Sequence, residues 1–135
     1  MSPESIIAII GVAIIIISIG ILIFKRLPRR LKLSKYRKKW RELQKLCAKK
    51  DTWPNAIDSA DTLLNYVLKQ KRISGKTMGE RLVSARERFT DNDSVWRAHK
   101  YAEHIRNSGG TELVENDVKQ ALVAFRQALK DLKAL

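Results

Sequence analysis

Few side chains in this sequence could do chemistry. His99 and His104 lie five residues apart, about 140° around a helix, which keeps them from sharing one metal ion. Cys47 is the single cysteine, so neither an intrachain disulfide nor a paired-thiol metal or redox motif can form. Gly109-Gly110 follows a helical stretch rather than a strand and makes no phosphate loop. Asp91 and Asp93 belong to the polar run from Thr90 to Ser94, whose residue types suit a turn and a helix cap better than an acid/base pair. A nucleophile with a neighbouring base cannot be picked out. The expectation is a protein with no catalytic site, no cofactor and no metal. One polar pair does stand out. Asp61 sits at the edge of an apolar stripe of Ile57, Ala60, Leu64, Val67 and Leu68, and His99 sits near the arc of Val95 and Ala102. A carboxylate on the core side of a helix needs a hydrogen-bonding partner. Asp61 is therefore expected to pair with His99 or the adjacent Lys100, as a contact that sets helix register or as the remnant of a site.

The elements that must hold these residues are helices throughout. Tyr36, Trp40, Leu43 and Cys47 recur at helical spacing in a basic helix ending near Lys50, which makes Cys47 a core thiol. Thr52 can cap the next helix, with Pro54 in its first turn. Thr77-Met78-Gly79-Glu80 has the spacing of a capping box, followed inward by Met78, Leu82, Ala85 and Phe89. The stripe Val95, Ala98, Ala102, Ile105 marks a fourth helix, ended by Asn107-Ser108-Gly109-Gly110. A last one, from about Glu115 to Lys133, carries Val118, Ala121, Leu122, Phe125, Leu129 and Leu132. Strand signals are absent. About five amphipathic helices with brief loops predict an all-α antiparallel bundle of about 100 residues, enough to bury one core.

Ahead of the bundle, Ile6 to Phe24 is an apolar run without a charge, covering roughly 28 Å as a helix and thus the hydrocarbon thickness of a bilayer. A cleaved signal peptide is the rival reading. Glu4 stands where basic residues would precede such a peptide, and Lys25-Arg26 follows Phe24 with no small-residue cleavage site, so residues 1–27 read as a signal anchor. Small side chains at Ala8, Gly11 and Ser18 share a face with Ile15, which would let two spans approach in a weak homo-oligomer.

The chain has 27 Lys and Arg against 14 Asp and Glu, and the imbalance is local. Lys25, Arg26, Arg29, Arg30, Lys32, Lys35, Arg37, Lys38, Lys39 and Arg41 fall in one stretch that contains no acid, whereas residues 51–135 hold 14 basic and 12 acidic side chains. Cations beside a span stay on the cytoplasmic side. The N-terminus is then outside, residues 28–50 form a basic juxtamembrane helix, and residues 51–135 form a cytoplasmic bundle. The cluster suits anionic lipid head groups at about 1 kcal/mol per residue near the surface. Tyr36 and Trp40, interleaved with the charges, also raise a nucleic-acid reading in which they stack on bases.

Thr77-Met78-Gly79-Glu80-Arg81-Leu82, Asp93-Ser94-Val95-Trp96-Arg97-Ala98-His99-Lys100, Asp117-Val118-Lys119-Gln120-Ala121-Leu122 and Phe125-Arg126-Gln127-Ala128-Leu129-Lys130-Asp131-Leu132 together resemble a family of small single-span bacterial membrane proteins of uncharacterised function. The likeness covers the anchor and the soluble domain, and it implies architecture without an activity. In those relatives the His-Lys pair is followed by a pattern similar to Leu-Arg-Asn, three residues, then His, which resembles the ribonuclease motif of HEPN helical domains, an Arg, four to six residues, and a His. Laid on this chain, the motif's Arg, Asn and His positions fall on Ala102, Glu103 and Asn107. Ala102 cannot hold phosphate and Asn107 cannot move protons in place of an imidazole. Arg106 and His104 lie nearby in reversed order. The resemblance thus implies a degenerate HEPN-like domain that binds or assembles. Two functions are expected from this: a membrane-tethered, non-catalytic module with an unknown protein partner, or a membrane-tethered nucleic-acid binder or partner of a ribonuclease.

Overall fold

The computed structural model describes residues 2–26, 32–109 and 112–135, and the side chains of Lys25 and Arg26 lie outside the description. Its helices are α1 (Pro3–Arg26), α2 (Leu33–Leu46), α3 (Trp53–Gln70), α4 (Met78–Ser84), α5 (Asn92–Ser108) and α6 (Glu115–Asp131), with single 3₁₀ turns at Lys50–Thr52 and Arg86–Arg88. No strand occurs among the described residues.

Pro3–Phe24 of α1 has a mean hydropathy of 3.3 and is long and apolar enough to cross a membrane. All its described side chains are exposed, from Ile6 to Phe24. The other five helices form the antiparallel bundle, with α3 at its centre against α2, α5 and α6, and α5 packed along α6. Each contributes the stripe its spacing predicts. The basic helix α2 buries Tyr36, Trp40 and Leu43 in the same core as Ile57, Leu64, Val67, Leu82, Val95, Phe125 and Leu129. It is therefore packed as one unit with residues 51–135 rather than standing apart from them.

Local sequence explains the joints. At the start of α4 the Thr77 hydroxyl accepts from Glu80 N, and the Glu80 carboxylate accepts from the amides of Thr77 and Lys76. Asp91 caps α5 by accepting from Ser94 N at 3.1 Å. Gly75 (φ +150) is required where it stands, since a Cβ there would lie 2.8 Å from Arg81 N. Gly109 (φ +73) closes α5 in the left-handed region.

Three expectations need correcting. Thr52 precedes α3 without capping it, because its hydroxyl donates backwards to the carbonyls of Leu46 and Lys49 and so closes the end of α2. Cys47, at the C-cap of α2, is half-buried rather than a core residue. Its thiol donates to Leu43 O at 3.7 Å, and burial pushes its pKa up. The last helix stops at Asp131, and the chain then turns through Lys133 (φ +60) to bury Ala134.

Candidate functional site

Polar side chains meet in two places, and the first is the seam between α3 and α5. Asp58 and Asp61 share a face of α3 three residues apart, while His99, Glu103 and Arg106 share a face of α5 at spacings of four and three. Packing the two helices joins these rows. Asp61 is 1% and His99 3% exposed, and His99 Nδ1 lies 2.9 Å from Asp61 Oδ1. The other ring nitrogen, Nε2, lies 3.1 Å from Glu103 Oε1. Arg106 Nη2 donates to Asp61 Oδ2, and Arg106 Nε donates to Asp58 Oδ1. Lys100 extends the chain outward, 3.2 Å from Glu103 Oε2 and 5.1 Å from the centre of the Trp96 ring.

The partner of Asp61 is thus His99, and Lys100 turns away to Glu103. Arg106 and Asp58 were not anticipated. The signal was the spacing of His99, Glu103 and Arg106 along one face of α5; comparing Arg106 with His104 alone concealed it, and His104 points to solvent. Both carboxylate oxygens of Asp61 and both nitrogens of His99 are occupied. A neutral imidazole has one N–H and can donate to only one of the two flanking carboxylates, whereas the imidazolium donates to both. Burial works against the Arg106 charge, but hydrogen bonds to Asp58 and Asp61 outweigh it and raise its pKa. The hydrogen bond from Lys100 holds the Glu103 carboxyl below its ordinary value, helped by the nearby charges of His99 and Arg106. Asp61 and His99 are the buried members of the seam, and Glu103, Arg106 and Asp58 surround them from half-exposed positions. Removing one partner of the buried pair would leave a polar group under-satisfied, at about 1–3 kcal/mol.

The second place is the basic face of α2. Lys32, Lys35, Arg37, Lys38, Lys39 and Arg41 are all exposed. Arg29 and Arg30, like the side chains of Lys25 and Arg26, lie outside the described residues. Tyr36 and Trp40 are only 4% and 7% exposed, so these rings are core and do not offer a stacking surface for bases. Tyr36 instead meets Tyr66 of α3, ring centres 6.2 Å apart. From the rim of that contact Lys35 Nζ donates to the Tyr66 hydroxyl at 3.2 Å and stands 5.1 Å from the ring centre, while Lys39 Nζ stands 4.9 Å from the same centre. Each such contact is worth about 0.5–1 kcal/mol at an exposed site. Beside them a groove of about 560 Å³ runs between α2 and α3, lined by Leu43, Leu46 and Leu63, by Ser59 and Thr62, and by the charged Lys39, Glu42 and Asp58.

A larger open groove, about 720 Å³, lies between α5 and α6 over Ala98, Tyr101, Ala121 and Ala124. Among the described residues no group of three or more His, Cys, Asp or Glu is placed to hold a metal ion. A scan against protein-family models and searches of curated proteins and solved structures find no match for the chain.

Proposed function

We propose that this protein is a membrane-tethered, non-catalytic helical module that carries a protein-interaction surface into the cytoplasm. The observation that carries the tether is α1, on which 14 large apolar side chains from Ile6 to Phe24 stand exposed beside a bundle that already has its own core. Leaving them in water would cost on the order of 20 kcal/mol, more than the whole stability of a domain this size. A bilayer removes that cost, and the cations that follow α1 favour an outside N-terminus. The non-catalytic part is supported by the α3–α5 seam, where histidine, arginine and carboxylates satisfy one another and leave no ring nitrogen available to a substrate.

A tag on the N-terminus should be labelled from outside intact cells and one on the C-terminus only after permeabilisation; the reverse pattern overturns the topology. Crosslinking in cells, with bound protein and bound RNA identified in parallel, should return a reproducible protein partner. Reproducible RNA recovery, lost on neutralising Lys35, Arg37, Lys38 and Lys39, would instead favour the nucleic-acid reading, against which the burial of Tyr36 and Trp40 counts.

A further inference from the structure

Lys35 and Lys39 lie on consecutive turns of α2, on the side that faces α3, whereas Arg37, Lys38 and Arg41 project from other sides of the helix. Their ammonium groups are brought to one ring, 5.1 and 4.9 Å from the centre of Tyr66. Like charges repel, so a helix serving only solubility would spread them apart. Among the described residues neither lysine lies within ion-pair distance of a carboxylate. Asp58, across the groove, is taken by Arg106. Two ammonium groups drawn to one ring, with five N–H donors left after the one given to the Tyr66 hydroxyl, make a site for an anion that has several acceptor oxygens and close to two negative charges. A phosphomonoester has both, carrying about −1.5 to −2 near neutral pH; a phosphodiester carries one.

The chain also limits where that anion comes from. Lys35 is nine residues beyond the end of α1 at Arg26, so the pair can stand no more than about 30 Å along the chain from the apolar helix. We propose that Lys35 and Lys39, positioned by the Tyr66 ring, clamp the phosphomonoester head group of an anionic membrane lipid. The groove that Lys39 and Tyr66 also line holds Leu43, Leu46 and Leu63, and these accept the less polar part of the lipid, while the carboxylates of Glu42 and Asp58 on the same groove confine the phosphate to the lysines. This deepens the tethered reading and rests on it for the source of the ligand, but the clamp itself can be tested without a membrane.

The test uses the full chain in uncharged detergent, with bound molecules counted by native mass spectrometry. Phosphatidic acid should be retained in preference to phosphatidylglycerol. The double substitution Lys35→Gln, Lys39→Gln should lower its retention about tenfold or more, as expected for losing charge-assisted hydrogen bonds. The control Lys38→Gln, Arg41→Gln removes the same charge from other faces and should change retention by less than about twofold. Tyr66→Phe keeps the ring and should keep the lipid; Tyr66→Leu should lose it, with circular dichroism confirming that both variants are folded. Equal losses in the two double variants would show diffuse attraction and overturn the clamp. Displacement of the lipid by equimolar inorganic phosphate would overturn the lipid assignment, as would single-stranded RNA that binds through Lys35 and Lys39 while phosphatidic acid does not. A reversed tag pattern with retention intact would overturn the cytoplasmic orientation and leave the clamp.

Discussion

The α3–α5 seam and the α2 face against Tyr66 both gather charged side chains, with opposite outcomes. In the seam Arg106 meets two carboxylates, those of Asp58 and Asp61, and the His99 ring stands between Asp61 and Glu103. On the α2 face two cations stand against one neutral ring. A network whose members pair with one another serves the fold, because the buried Asp61 and His99 are tolerable there only when they are satisfied. Charges gathered without opposite partners cost the fold a little and serve whatever anion arrives. The two regions should therefore respond to substitution in opposite ways: the seam through stability, the α2 face through binding.

The largest expected effect is in the seam. Asp61→Ala leaves His99 with Glu103 alone and Arg106 with Asp58 alone and should cost about 2–3 kcal/mol, while Asp61→Asn retains some hydrogen bonding and should cost about 1–3 kcal/mol; urea unfolding of the full chain in detergent, followed by circular dichroism, reads both. A neutral Asp61→Ala would dissolve the distinction between the regions. Next comes Arg106→Lys, which keeps the charge but not the planar fork that spans Asp58 and Asp61. It should lose about 1–2 kcal/mol in the same assay, and an unchanged stability would reduce the seam to the Asp61–His99 pair.

How far these regions could be read from sequence differs for a physical reason. The apolar stripes, the Thr77–Glu80 capping box and the core position of Asp61 follow from helical spacing, a local property. The partner choice between His99 and Lys100 does not, because it depends on the rotation of α5 against α3. Arg106 was harder still: it lies two turns beyond His99 and reaches Asp61 only through that packing. For Tyr36 and Trp40, residue type suggested stacking on bases while spacing suggested a core stripe, and spacing was the better guide because it registers which side of α2 meets α3. The convergence of Lys35 and Lys39 on Tyr66 joins residues more than 25 positions apart, which no local pattern reveals.

A smaller effect lies at the other end of the bundle, where Asp131 accepts from Thr90 N at 2.8 Å, from the Thr90 hydroxyl at 2.9 Å and from Gln127. Partial burial opposes its charge, but these hydrogen bonds prevail and lower its pKa. A carboxyl with a depressed folded pKa contributes stability above its ordinary pKa and loses it as pH falls through the folded value. Asp131→Asn should therefore cost about 1 kcal/mol near neutral pH, and the gap to the unsubstituted chain should close in acid below the ordinary carboxylate range. A gap independent of pH would mean that the charge of Asp131 plays no part. The smallest effect on stability belongs to Lys35→Gln with Lys39→Gln, within about 0.5 kcal/mol of the parent, because both side chains are exposed and the loss of their two contacts with Tyr66 is offset by relief of the repulsion between the two ammonium groups.

The most direct test of the contrast measures stability and phosphatidic acid retention on one set of full-chain samples: the parent, Asp61→Asn, and Lys35→Gln with Lys39→Gln. The expected result is a double dissociation, in which Asp61→Asn lowers the unfolding midpoint while each folded chain retains the lipid, and the lysine pair loses the lipid with its midpoint unchanged. If Asp61→Asn abolishes lipid retention at full stability, or the lysine pair unfolds the bundle, the assignment of the seam to structure and the α2 face to binding is contradicted.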